Sequence, residues 1–172
     1  MRKLEQRIVA GVSPQAVWKV LSEFGDVDQW APGMLSSSLS GGQTRGVGTH
    51  RVMQHRWGFR IEESVTRWVD GQGMSWVLLK APFPMQNVLE TWDLEEQDGG
   101  TRITTTVSYE MGVGMFGALI DHMFVRFVIQ REMRHGLEAL VAFIDDSPPA
   151  EPCYNANARS SLETGAKQTG SG

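Results

Sequence analysis

One carboxylate falls on the apolar face of a predicted β-strand. Phe59, Ile61, Glu63 and Val65 alternate with polar residues, so their side chains share one face of an extended segment. A buried carboxylate is costly unless it is ion-paired, hydrogen-bonded or protonated. Glu63 is therefore a candidate for a structural ion pair, for ligand binding or for acid–base chemistry.

Two further ionisable groups take equivalent positions if their own strands alternate in the same way. Glu90 then faces inward between Val88 and Trp92, and Arg51 faces inward on an earlier strand. Arg51 and Glu63 can pair across neighbouring strands, either as a structural salt bridge or as the polar anchor of a ligand. In a catalytic site, Glu63 or Glu90 would move protons and Arg51 would stabilise an enolate oxygen.

Other kinds of site have weaker support. His50 and His55 would face opposite sides of one strand, and His122 and His135 lie too far apart along a helix to share an ion. Segment 112–117 has the glycine spacing of a dinucleotide loop, but the preceding strand is amphipathic and only helix follows it. The single cysteine excludes an internal disulfide and a cysteine-rich zinc site. We expect no metal and no cofactor.

The composition narrows the class of protein. The chain has 172 residues with 20 acidic and 16 basic side chains, which suits one ordinary domain. The net charge of −4 argues against a general nucleic-acid binder, which needs clustered Lys and Arg to neutralise phosphates. No apolar run approaches the roughly 18 residues of a membrane span, and the N-terminal residues lack the apolar core of a secretory signal. We expect a cytoplasmic protein that binds neither nucleic acid nor the membrane interior.

The order of predicted elements indicates an α+β fold. Ser13 and Pro14 are typical of a helix start, and a helical turn is predicted over 26–31. From about residue 34 to 110, alternating segments separated by turn residues predict an antiparallel sheet with one face in solvent. A 3.6-residue apolar period predicts a long helix from about Met115 to Asp145.

These elements have two consequences for the organisation of the chain. A helix of that length would be about 45 Å long, so a curved sheet of six or seven strands wrapped around it leaves a hollow. After residue 146 the chain is rich in proline and small polar residues, which predicts a disordered tail over 147–172. The ordered domain is therefore expected to cover 1–146.

The hollow predicts a site for a hydrophobic small molecule, whose burial yields roughly 25 cal/mol per Å². The residues expected to line it are Arg51, Met53, Phe59, Ile61, Glu63, Trp76, Val88, Glu90, Trp92, Val107, Tyr109, Met123 and Phe127. A binding protein that carries or sequesters its ligand and an enzyme that uses Glu63, Glu90 and Arg51 in acid–base chemistry are both compatible with this lining. A protein-interaction module that fills the hollow with its own side chains is a third possibility.

Several segments resemble the START/birch-pollen-allergen (SRPBCC) superfamily, and its polyketide cyclase/dehydrase-like branch in particular. They are AGVSPQAVW (10–18), FGDVDQWAPG (24–33), GVGTHR (46–51), 63–65 with Asp70, 92–94 with 99–103, and GLEAL (136–140). The resemblance covers about residues 4–145.

This resemblance implies a helix-grip fold, with a seven-stranded antiparallel sheet, two short helices after the first strand and a long C-terminal helix over a hydrophobic cavity. It also implies a ligand such as a lipid, a polyketide or an aromatic compound. Only some members are enzymes, and for an enzyme the resemblance implies a polyketide cyclase/aromatase or dehydratase-like activity that uses Glu63 or Glu90 and Arg51. In related receptors and allergens, residues at the positions matching Arg51 and Glu63 contribute charged groups to the pocket.

Overall fold

The computed structural model describes residues 1–81, 83, 85–112 and 124–146. Within these ranges the strands are β1 (Arg2–Ala10), β2 (Met34–Ser40), β3 (His50–His55), β4 (Arg60–Val69), β5 (Gly73–Lys80), β6 (Met85–Gln97) and β7 (Gly100–Met111). The helices are α1 (Pro14–Leu21), a 3₁₀ helix (Phe24–Gln29) and α2 (Arg126–Asp146). The predicted α+β helix-grip fold, with two short helices after the first strand, is confirmed.

The seven strands form one antiparallel sheet in the order β1-β7-β6-β5-β4-β3-β2. Strands β2 to β7 follow one another as a meander, and β1 adds to the far side of β7. This register places Arg51 on β3 directly opposite Glu63 on β4, and Trp76 on β5 directly opposite Glu90 on β6. The meander thus places Arg51 and Glu63 side by side and Glu90 two strands from Glu63, and all three line the same cavity.

Helix α1 begins where the sequence predicts. The Ser13 hydroxyl accepts a hydrogen bond from the backbone N–H of Ala16 at 3.3 Å, and proline occupies the first helical turn. Val17 and Leu21, one turn apart, are buried against the main core.

Helix α2 divides the interior into a packed part and an open part. Its C-terminal residues Leu137, Leu140 and Ile144 are buried in the main core cluster. Its N-terminal half lines a cavity through Ile129 and Met133, among others. The domain is therefore solidly packed toward the end of α2 and hollow toward the beginning.

Part of the predicted helix and all of the predicted tail lie outside the described residues. The described part of the helix is a π turn at residues 124–125 followed by α2 from Arg126. The remainder of the predicted helix, residues 115–123, lies outside the described residues. The same holds for the glycine-rich segment after residue 112 and for 147–172. Within the described ranges, no helix combines the length and apolar character needed to cross a bilayer.

Gly73 marks a point where two strands approach too closely for any side chain. Its φ is +142°, and a Cβ added there would lie 2.1 Å from the carbonyl oxygen of Trp92. We expect Gly73→Ala to lower the free energy of unfolding by about 2 kcal/mol or more, since it combines backbone strain with a clash. Gly71→Ala, at a positive φ but with open space around it, should lose only about 1 kcal/mol. Urea denaturation measures both, and equal losses would refute the close-approach explanation.

Candidate ligand-binding site

A cavity of about 590 Å³ lies between the concave face of the sheet, the 3₁₀ helix and the first half of α2. Its walls are largely apolar, and its volume falls in the range of roughly 300–1,000 Å³ found for small-molecule sites. The exposed aromatic side chains of Trp57, Phe59, Phe83 and Phe124 also line it, so they mark the opening toward solvent.

Most of the residues expected at the site lie in the wall of this cavity. They are Arg51, Met53, Phe59, Ile61, Glu63, Trp76, Val88, Glu90, Trp92 and Val107. Tyr109 is fully buried but packs in a core cluster with Leu4 and Met133 instead of lining the cavity. Met123 lies outside the described residues.

Phe127 also lies elsewhere, because the apolar period of α2 runs through other positions. Its side chain is 68% exposed, and the residues one turn further along are Gln130 and Arg131. The inward-facing series instead runs from Ile129 to Met133 and on to the buried leucines of the C-terminal half. The prediction placed Phe127 by the apolar residues that precede it, whereas the positions that line the cavity here include Val125, directly before α2, and Ile129.

Several lining residues were not among those expected. Phe24 and Trp30 come from the 3₁₀ helix and its end, while Ile129, Met133 and Gly136 come from α2. The three residues of α2 are spaced by four and three positions, so their common face could have been predicted from the sequence. The position of the 3₁₀ helix over the sheet has no local sequence signal, since it depends on tertiary packing.

Arg51 and Glu63 form a buried ion pair across β3 and β4. Both Nε and Nη2 of Arg51 lie 2.6 Å from Oε2 of Glu63, and each side chain is only 6% exposed. Nη1 of Arg51 donates to the backbone carbonyl of Phe24 at 2.9 Å. The guanidinium carbon lies 3.9 Å from the Phe24 ring centroid and 5.2 Å from that of Trp76. Every nitrogen of Arg51 is thus engaged and both neighbouring rings contact its planar group.

Opposing effects act on the Glu63 carboxyl. Burial raises its pKa above the ordinary value, and the charge and hydrogen bond of Arg51 counteract that rise. The indole N–H of Trp76 also favours the charged carboxylate, although it makes no hydrogen bond of standard geometry to a described residue.

Glu90 is in a different electrostatic position. Burial and the nearby negative charge of Glu63 raise the pKa of Glu90 to about 7. Its Oε1 accepts a hydrogen bond from Nε1 of Trp92 at 2.7 Å, and it has no salt bridge with any described residue. A carboxyl with such a pKa exchanges its proton readily near neutral pH.

His55 lies near the opening of the cavity. Its Nδ1 accepts a hydrogen bond from the backbone N–H of Trp57 at 3.2 Å, and the two aromatic rings are 4.7 Å apart. Burial lowers the pKa of His55, and the carboxylate of Glu132 partly offsets this effect. The neutral imidazole is therefore favoured, so this residue adds no positive charge to the wall.

A curved antiparallel sheet that grips a helix, with an internal cavity between them, defines a helix-grip protein. The chain belongs to the family described as "Polyketide cyclase / dehydrase and lipid transport", whose sequence profile matches residues 1–144. The predicted membership of the SRPBCC superfamily is thereby confirmed.

Solved structures with the same fold are distant in sequence. An uncharacterized protein from Bacillus thuringiensis is 20% identical with a TM-score of 0.69, and the match covers 84% of this chain and 100% of that one. Ara h 8.0201 is 16% identical with a TM-score of 0.70 over 85% of this chain and 99% of its own. The di-domain ARO/CYC StfQ from the steffimycin biosynthetic pathway is 12% identical with a TM-score of 0.70. The match covers 83% of this chain and 50% of the StfQ chain. No curated protein sequence matches the chain.

Proposed function

We propose that the protein binds a hydrophobic small molecule in its internal cavity and carries or sequesters it. The observation that supports this most strongly is the cavity itself, which is large, apolar and open at one end. A domain that served only as an interaction module would gain stability by filling this space with its own side chains. The family description, which includes lipid transport, agrees with the proposal.

Apolar contact accounts for a useful affinity. A ligand that buries about 300 Å² of apolar surface gains roughly 7.5 kcal/mol at about 25 cal/mol per Å². Lost translational and rotational freedom removes part of this gain. A carrier needs only moderate affinity, because its ligand must also be released.

Gly136 provides a test that leaves the rest of the wall intact. It lies on α2 in the cavity wall, and an added Cβ there meets no atom within 4 Å. We expect Gly136→Trp to place its indole in the cavity and to weaken binding of the neutral probe N-phenyl-1-naphthylamine by about tenfold or more. Gly136→Ala, the matched control, should bind the probe like the wild type. Calorimetric titration measures all three, and equal affinities, or no binding by the wild type, would exclude the cavity as the site.

The second candidate function is a polyketide cyclase/aromatase or dehydratase-like enzyme that uses Glu63, Glu90 and Arg51. The observation in its favour is the pKa of Glu90, about 7, which suits proton transfer at neutral pH. A linear poly-β-ketone thioester is a suitable test substrate, with ring formation followed by absorbance. Loss of turnover with unchanged binding in Glu90→Gln or Glu63→Gln would support catalysis. Unchanged turnover in both would remove these carboxyls from any mechanism.

A further inference from the structure

We infer that Glu90, and not Arg51, is the residue that receives the polar end of the ligand, and that the cavity selects an uncharged hydroxyl or carbonyl group and excludes anionic ends. This inference rests on the proposed binding function and makes it more specific. Glu90 receives the uncharged polar group, and the surplus of carboxylates in the wall excludes carboxylate, sulfonate and phosphate ends.

Arg51 cannot supply an anion site without breaking existing contacts. Its three nitrogens are used by the Glu63 carboxylate and the Phe24 carbonyl, and its side chain is 6% exposed. An anionic ligand would have to displace Glu63, leaving that carboxylate buried without its partner. The exchange gains one ion pair and loses another, so it provides no net attraction.

The remaining charges in the wall are unfavourable to an anion. Arg51 is the only lysine or arginine among the described lining residues, whereas Glu23, Glu63, Glu90 and Glu132 all line the cavity. Glu23 is paired with Arg45 and Glu63 with Arg51. His55 favours its neutral form. A negatively charged ligand would therefore enter a region with surplus carboxylates and no free cation among the described residues.

Glu90 has one carboxyl oxygen without a hydrogen bond of standard geometry to a described residue. Its Oε1 accepts from the Trp92 indole, and the Thr105 hydroxyl also favours the charged carboxylate, but neither Thr105 nor another described residue makes a hydrogen bond of standard geometry to Oε2. The cross-strand neighbours of Glu90 are Trp76 on β5 and Val107 on β7, both of which also line the cavity. A ligand oxygen placed beside Oε2 would complete the hydrogen bonding of this partly buried carboxyl, and leaving such a group unpaired is costly.

The carboxyl suits uncharged partners in either protonation state. When protonated it donates to a carbonyl or hydroxyl oxygen, and when ionised it accepts from a hydroxyl group. Its pKa of about 7 makes both forms available under neutral conditions. An ammonium group could also meet the ionised form, but its desolvation in an apolar cavity is more costly than that of a hydroxyl.

Three probes with the same ring system separate these possibilities by calorimetry at pH 7: 2-naphthol, 2-naphthoate and 2-naphthylmethylammonium. We expect the wild type to bind 2-naphthol about tenfold more tightly than 2-naphthoate, and more tightly than the ammonium probe. Glu90→Gln should keep 2-naphthol binding within about threefold and should bind 2-naphthoate more tightly than the wild type does, because the negative charge is gone. Glu90→Leu should lose about fivefold or more in affinity for 2-naphthol while retaining N-phenyl-1-naphthylamine.

Glu95→Gln is the matched control, because Glu95 lies on the same strand with an exposed side chain paired to Arg102. It should leave the affinities for all three naphthyl probes unchanged. Equal affinities of the wild type for naphthol and naphthoate, or a preference for the ammonium probe, would overturn the inference while the binding function stands. If neither the naphthyl probes nor N-phenyl-1-naphthylamine binds, the proposed function itself fails.

Discussion

Replacing Arg51 with methionine is expected to lower the free energy of unfolding by about 3–5 kcal/mol, the usual result of leaving one member of a buried ion pair without its partner. Glu63 would remain 4% exposed on the inner face of the sheet. The substitution also removes the hydrogen bond to the Phe24 carbonyl and the contacts with two aromatic rings. Urea denaturation at pH 7 gives the loss directly.

A double variant shows whether charge is the cause. Adding Glu63→Leu to Arg51→Met removes both charges, and we expect it to recover most of the lost stability, as apolar replacements of buried pairs often do. The comparison pair is Arg102 and Glu95, which lies at the surface, so Arg102→Met should lose no more than about 1 kcal/mol. Similar losses for Arg51→Met and Arg102→Met would show that the buried pair has no special role in stability.

The wild type is also expected to become less stable as pH rises from about 5 to 8, relative to Glu90→Gln. The pKa of Glu90 is raised from 4.5 to about 7 in the folded protein, so in this range the folded state holds a proton that the unfolded state has released. Raising the pH then favours unfolding, by up to about 3 kcal/mol for a shift of this size. The loss of stability that Glu90 causes is complete once the pH is well above its pKa in the folded protein.

Comparison with Glu90→Gln separates Glu90, with its coupling to Glu63, from the other titrating groups. The raised pKa of Glu63 gives a slope of the same sign, whereas the lowered pKa of His55 makes stability rise with pH near its own titration. The His55 contribution is present in the variant and cancels in the difference. The Glu63 contribution cancels only in part, because the charges of Glu63 and Glu90 interact, so the difference reports the titration of Glu90 together with its effect on Glu63. Denaturation curves at several pH values give the free energy of unfolding of the wild type and of the variant. The two values should be similar near pH 5 and should differ increasingly toward pH 8, where the variant is more stable. Parallel profiles would mean that Glu90 titrates normally.

The inward faces of the strands were predictable because alternation in a strand is a short-range property. Ile103, Thr105 and Val107 on β7 are all buried, as their period of two indicates. Arg51 and Glu63 were predictable as partners because consecutive strands of a meander are neighbours, and the register confirms that they lie opposite each other. The β-bulge between Glu62 and Glu63 alters pairing with β5 and not this contact.

Features that depend on packing between distant segments were not predictable in the same way. The sequence does not show that Phe24 offers a carbonyl and a ring to Arg51, since that contact joins residues 27 positions apart. Nor does it show that Glu90, unlike Glu63, has no ion pair among the described residues. Two carboxylates in similar apolar patterns thus differ because only Glu63 contacts Arg51, the one lysine or arginine among the lining residues that the structure describes.

The location of a bound ligand tests the central claim most directly. Nuclear Overhauser effects can be measured between the ring protons of N-phenyl-1-naphthylamine and selectively labelled methyl groups of the protein. Binding in the cavity predicts contacts with the buried methyl groups of Met53, Val88 and Met133, which line its interior. Contacts confined to exposed side chains such as Leu35 and Val9, with none to the interior methyl groups, would contradict it.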